Sequence, residues 1–183
     1  MIRLENLTIN YKNEKVLINN INIYIQAGYL VSITGSPASG KTSLFKALAG
    51  LSKIDNGSIS FYEKNLHSMS LEERSNAGLN YVPQENSLFD DLSLQENLEA
   101  VIELKFKVVS EEKFKQIKDL LDVMKLTDKA KTKSKFLSGG EKRKTEILRS
   151  ILLDSKYILL DEPFAALDIL TIKMIQEIIV NLQ

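Results

Sequence analysis

Apolar positions recur at two different spacings along the chain. Between Ile2 and about Tyr62 they fall in short β-rich runs, Ile2 to Ile9, Ile21 to Ile25, Tyr29 to Thr34 and Ser58 to Tyr62, broken by Asn and Gly turns, with one helical stretch inside. That is a mixed α/β pattern. From Leu92 to Met124 the period turns helical: Phe114, Ile117, Leu120, Leu121 and Met124 share one face, and Ser93 with Glu96 has the spacing of a capping box. This stretch reads as a helical insert. From Glu141 a further helix, carrying Ile147, Leu148, Ile151 and Leu152, leads into the apolar run Tyr157 to Leu160, a strand of the kind buried on both faces. A last helix places Ile172, Ile175, Ile179 and Leu182 on one stripe. No repeat, low-complexity tract or Pro/Gly-rich linker separates these pieces, so they read as one domain with lobes.

Composition narrows the class. The 183 residues are 44% hydrophobic and 26% charged, with 24 basic and 24 acidic side chains. This fits a soluble globular domain able to bury a core. Zero net charge argues against a general polyanion binder, because non-specific nucleic-acid affinity needs surplus Lys and Arg facing phosphates. The run Lys142, Arg143, Lys144 therefore reads as a solvated helix face, while His67, which precedes the helical stretch and matches no motif, reads as a surface residue. Without cysteine there are no disulfides, thiolate metal sites or cysteine nucleophiles. No leader pattern opens the chain, and no segment approaches the roughly 18 apolar residues of a membrane-spanning helix.

Two motifs carry phosphate chemistry. GSPASGKT, from Gly35 to Thr42, follows the run YLVSIT and opens the helical stretch SLFKALAGL. A loop of this kind turns successive N–H groups around phosphate oxygens at a helix N-terminus, where the macrodipole also favours negative charge. Gly40 permits close backbone approach, Lys41 reaches the terminal phosphates, and Thr42 offers a hydroxyl to Mg²⁺. YILLDEP, from Tyr157 to Pro163, ends an apolar strand in two carboxylates. Asp161 is placed to hold Mg²⁺ and Glu162 to accept a hydrogen bond from an attacking water. The same acids before Pro163 would also suit the N-cap of a following helix. LSGGE, Leu137 to Glu141, leaves a similar choice between a helix start and an anion site.

The set Gly35 to Thr42, Tyr81 to Gln84, Leu137 to Glu141, Tyr157 to Pro163 and Ala166 to Asp168, in that order, resembles the nucleotide-binding ATPase of ABC transporters across essentially the whole chain. The resemblance implies an α/β fold with a P-loop NTPase core on a parallel sheet, an antiparallel β lobe and an α-helical lobe. The parts would be a β lobe and P-loop core over 1–91, a helical lobe over 92–137, and signature helix, acidic strand and last helix over 138–183. It further implies that ATP is held by Gly35, Ser36, Pro37, Ala38, Ser39, Gly40, Lys41, Thr42 and Ser43, with Tyr11 stacked on adenine, although an aromatic at a strand end needs no ligand. Gln84 would contact Mg²⁺ and the attacking water. In this family Ser138, Gly139 and Gly140 of one subunit close over ATP held by the P-loop of another, and Asp168 lies at that contact. The implied partners are a second ATPase subunit in a head-to-tail homodimer and transmembrane permease subunits, with no nucleic acid, at the inner face of the cell membrane.

Within the family, YVPQENSLFDDLSLQENL, SGGEKRKTEI and LLDEPFAALD look most like bacterial lipopolysaccharide-export ATPases, whereas the P-loop region looks as much like haem-exporter ATPases. Glu141 stands where Gln is usual. The family pattern continues past the last helix into a strand ending in a switch histidine, which the sequence to Gln183 does not contain. A shortened chain with weak ATP binding and poor hydrolysis is the expectation. Competing readings are a soluble ABC-type ATPase in cofactor assembly or on nucleic acid, and a protein that binds nucleotide without hydrolysing it.

Overall fold

The computed structural model describes residues 1–11, 15–165 and 167–181, and the side chains of Tyr11, Lys15 and Val16 lie outside the described part. The adenine-stacking expectation for Tyr11 therefore falls outside the described residues. Two compact units, Met1–Tyr81 and Val82–Leu182, make up the chain.

In the first unit β1 (Ile2–Tyr11) pairs antiparallel with β2 (Lys15–Ile25) on one edge and with β3 (Asn56–Phe61) on the other, and β4 (Lys64–Asn65) extends the sheet. Ile2, Leu4, Leu7 and Ile9 of β1 are all buried, although the odd step from Leu4 to Leu7 would send them to opposite faces of a regular strand. A register shift between those two residues, with Asn6 at φ +49°, restores Leu7 to the core face. Gly57 accommodates this bulge: at φ +85°, a Cβ there would lie 2.4 Å from the carbonyl oxygens of Glu5 and Asn6.

Helix α1 (Lys41–Ala49) packs Leu44, Ala47 and Leu48, and its last carbonyls are satisfied by a side chain from α2 (Leu71–Ala77). Arg74 of α2 donates Nη1 to Ala47 O and Leu48 O at 2.7 Å, Nη2 to Leu66 O and Nε to Met69 O. This buried guanidinium replaces the water that helix-end carbonyls otherwise need.

One expected strand is absent. Residues 29–34 take no regular structure, and Tyr29, Leu30 and Val31 are 68%, 56% and 48% exposed. The apolar run has β propensity, but among the described residues no strand of the first unit pairs with it. A strand exists only where a neighbour takes its N–H and C=O groups.

The second unit begins at the end of β5 (Leu79–Val82), where Val82 O accepts from Asp161 N at 3.1 Å, just past β6 (Tyr157–Leu160). Around it pack α3 (Leu94–Phe106), α4 (Glu111–Val123), α5 (Gly139–Leu152) and α6 (Ile169–Asn181). Leu94, Leu98 and Ile102 of α3, Ile117 and Leu121 of α4, Ile147, Leu148 and Leu152 of α5 and Ile175 of α6 form one buried cluster. Of the stripe expected in the helical insert, Ile117, Leu121 and Met124 are buried and Leu120 is half-buried, but Phe114 at its start is 38% exposed. Asn97, fully buried on α3, bonds Phe89 N, Phe89 O and Ser134 Oγ, which pins the segment leading into that helix.

The basic run after LSGGE is not a solvated face. Arg143 is 6% exposed and Lys144 9%, with Lys144 Nζ donating to Met124 O. Zero net charge weighs against a polyanion patch, yet says nothing about cations turned inward to cap carbonyls.

Candidate functional site

The first unit carries the glycine-rich loop. Ser39 N–H donates to Ser36 O at 3.2 Å, closing a turn that Ala38 completes at φ +60°. Gly40 is the N-cap of α1 at φ +93°, with no side chain capping the helix and no acid in its first turn. The first N–H groups of α1 are therefore not answered by any side-chain cap, which is the arrangement that suits an anion. Glycine is needed on steric grounds too. A Cβ on Gly35 would lie 2.7 Å from Ser39 Oγ, and one on Gly40 would lie 3.1 Å from the Ile18 side chain. Lys41 arches back over the loop and donates Nζ to Gly35 O and Ser36 O, both at 2.9 Å. Ser36, Pro37, Ala38 and Ser39 are exposed along this turn, and Thr42 and Ser43 are half-buried in the first turn of α1.

The second unit carries the carboxylates. Asp161 is 1% exposed at the end of β6, and Glu162 next to it is exposed with φ +46°. That left-handed setting is costly for a non-glycine residue and swings the Glu162 side chain away from the strand direction. Gln84, which follows β5, donates Nε2 to Glu162 Oε2 at 2.7 Å. Two side chains 78 positions apart in sequence, singled out for one task, thus meet. The acids do not cap a helix: α6 starts at Ile169, and Asp168 caps it, accepting from Thr171 N at 3.0 Å and Thr171 Oγ1 at 2.6 Å. These bonds hold the Asp168 carboxyl below the usual carboxylate range.

LSGGE starts α5. Ser138 is the N-cap: its Oγ accepts from Glu141 N at 3.3 Å, and its own N–H donates to Glu141 Oε2 at 2.7 Å. Glu141 thereby closes a capping box, a role its S-x-x-E spacing signals and that reading it as a replaced glutamine misses. Gly139 and Gly140 occupy the first turn, where backbone N–H groups have no intrahelical acceptor. A Cβ on Gly140 would meet Thr171 at 3.2 Å, but one on Gly139 would meet nothing within 4 Å. Packing inside the chain thus gives no reason for glycine at 139.

Around this site Arg143 was read as a solvated cation, and Glu146 went unread in the sequence. Arg143 bonds Pro83 O, Asp161 O and Glu146, and Glu146 bonds Ser87. An Arg and a Glu spaced i,i+3 beside an apolar stripe were the available signal.

The ABC transporter family pattern matches residues 18–165. The chain is 31% identical to the lipopolysaccharide export system ATP-binding protein LptB of Haemophilus influenzae over 183 residues, all of this chain and 76% of the relative. An uncharacterised ABC transporter ATP-binding protein of Rhizobium meliloti is 34% identical over 96% of this chain and 64% of its own length. Among solved structures, a dimeric ATP-binding cassette in a post-hydrolysis state bound to ADP and Pi superposes with a TM-score of 0.86 at 28% identity, covering 98% of this chain and 81% of that one. The chain belongs to the ABC transporter family, as a nucleotide-binding ATPase of the P-loop NTPase fold.

Proposed function

We propose that this chain binds ATP with Mg²⁺, pairs head-to-tail with a second copy around the nucleotide, and hydrolyses ATP to drive a membrane transporter. The observation that carries the reading is the 2.7 Å bond from Gln84 Nε2 to Glu162 Oε2 beside the buried Asp161. It sets the expected water-orienting amide against the expected base, at the ends of the paired strands β5 and β6.

In this reading Gly35 to Ser39 wrap the phosphates with backbone N–H groups, Pro37 excepted because it has none. Lys41 exchanges its two carbonyl acceptors for phosphate oxygens, so the ammonium stays hydrogen-bonded throughout. Thr42, Asp161 and Gln84 are the residues that would offer Mg²⁺ oxygens, the hard donors it takes, and a bound ion would supply positive charge against the transferring phosphate. Glu162 takes a proton from water aligned by Gln84. Ser138, Gly139 and Gly140 donate to the terminal phosphate held by the other copy, which accounts for a glycine at 139 that packing does not require. Asp168, fixed by Thr171, lies at the contact between copies.

A groove of about 410 Å³ lined by Phe89, Leu92, Ala100, Glu103, Leu104 and Lys107 is the proposed seat of the permease. Its mixed apolar and charged lining suits a short amphipathic helix. Among the described residues no helix is long and apolar enough to cross a membrane, so membrane attachment at the cytoplasmic face would come through this groove. Export of lipopolysaccharide is the cargo reading favoured by the names of the LptB relatives.

Phosphate release from the purified chain tests the chemistry. Magnesium-dependent turnover, slow or fast, that Glu162→Gln abolishes is expected. Turnover that persists at the parent rate in Glu162→Gln would remove Glu162 from the mechanism.

A further inference from the structure

Arg143 and Glu146 sit side by side on α5, their side chains 7% and 4% exposed, with Nη1 to Oε2 at 3.2 Å. A buried ion pair is a poor stabiliser, because desolvating two charges offsets their attraction unless the remaining donors and acceptors are also used. Here they are used, and the partners are informative. Arg143 Nη1 donates to Pro83 O at 2.6 Å, and Nη2 donates to Asp161 O at 2.7 Å, with a longer Nε contact to Pro163 O at 3.4 Å. Pro83 precedes Gln84, and Asp161 and Pro163 flank Glu162. One guanidinium therefore grips the backbone on either side of the Gln84–Glu162 bond.

Glu146 reaches the other way. Its Oε1 accepts from Ser87 N at 2.7 Å and from Ser87 Oγ at 3.0 Å. Arg149, on the same helix, donates to Ser87 O at 2.8 Å and stands 5.6 Å from the Phe89 ring centroid. Phe89 lines the groove proposed for the permease. Hydrogen bonds run from the Asp161 carbonyl through Arg143, Glu146 and Ser87 to Arg149, which stands over the Phe89 ring at the groove wall.

We propose that Arg143 and Glu146 are positioning residues that set the Gln84 loop and the Asp161–Glu162 turn in register and tie that register to the Ser87–Phe89 segment. Neither touches the reacting atoms. Lysine cannot replace Arg143, since a single ammonium on a flexible stem lacks the planar fork that spans Pro83 O and Asp161 O. Glutamine at 146 keeps an acceptor for Ser87 but loses the charge that holds Arg143. The proposal rests on the roles assigned above to Gln84 and Glu162, but its geometry can be read without turnover.

The test uses the ¹⁵N-labelled full chain and the side-chain amide resonance of Gln84, assigned by its loss in Gln84→Glu. In Arg143→Lys and Glu146→Gln this resonance moves toward the position of a free glutamine, while the backbone amides of Gly40 and Lys41 stay in place. Affinity for a fluorescent ATP analogue stays within about twofold, and single-turnover hydrolysis slows about ten- to a hundredfold, the usual effect of misplacing a reacting group by an ångström. Ser87→Ala removes one of two bonds to Glu146 and gives a smaller move in the same direction, so it decides the matter where a charged variant does not fold. A Gln84 resonance unmoved in the folded variants, or affinity and hydrolysis falling together, would overturn the proposal. Persistent hydrolysis in Glu162→Gln would instead overturn the role of Glu162, with the Gln84 resonance still reporting the register.

Discussion

Glu162 holds a left-handed backbone at φ +46° on an exposed turn, a setting that costs a side-chain-bearing residue about 1–2 kcal/mol. The chain keeps it because the same turn delivers the carboxylate to Gln84. Glu162→Gly should relieve the strain and abolish hydrolysis together, with a melting temperature equal to or about 2–4 °C above the parent. Differential scanning fluorimetry beside a phosphate-release assay checks this, and a fall in melting temperature would mean that Glu162 holds the turn rather than being held by it. Gly40 at the N-cap of α1 and Gly139 in the first turn of α5 should respond differently to alanine. Gly40→Ala forces a Cβ against Ile18 at φ +93° and should cost about 1–2 kcal/mol in urea unfolding. Gly139→Ala meets nothing and should leave unfolding within about 0.5 kcal/mol of the parent, while lowering ATP-driven dimer formation. Residues of this kind were legible in the sequence, because a glycine or carboxylate at a fixed offset from a strand carries its own chemical reason. Arg143 was not, since the carbonyls that justify its burial come from Pro83 and Asp161, distant in the chain.

At the scale of elements, capping decides where helices begin. Ser70 with Glu73, Ser93 with Glu96, and Ser138 with Glu141 form full capping boxes at the starts of α2, α3 and α5. The Ser93 N–H, and then its hydroxyl, hold the Glu96 carboxyl below its ordinary value. A depressed folded pKa means the contribution is present above the unfolded value of about 4.3 and is lost as pH falls through the folded one. Urea midpoints should therefore drop as pH is lowered from about 5 to 3, and Ser93→Ala should flatten part of that drop. A midpoint curve of unchanged steepness would remove the box from the acid sensitivity. Arg74→Leu tests the other helix end, leaving the Ala47, Leu48 and Leu66 carbonyls unanswered at a cost of about 2–5 kcal/mol. Helices α1 and α3 to α6 and the β1–β3 sheet could be read from periodicity because each is a local pattern on one face, whereas the short α2 was not read. The run at residues 29–34 reads as a strand by the same pattern and is not one, since a strand also depends on which chain lies beside it.

For the whole molecule, the glycine-rich loop and the LSGGE helix start lie on different units, the first without a side-chain cap and the second with two glycines in its first turn. A similar solved structure is a dimeric ATP-binding cassette bound to ADP and Pi. The proposal that two copies close on ATP makes a demand on assembly that no local measurement meets. Light scattering during size exclusion of the Glu162→Gln chain, with ATP and Mg²⁺, tests it most directly. A mass twice that of the monomer with nucleotide, returning to monomer without it and lost in Ser138→Arg, is the predicted result. A monomer that retains bound ATP would contradict the role given to Ser138, Gly139 and Gly140.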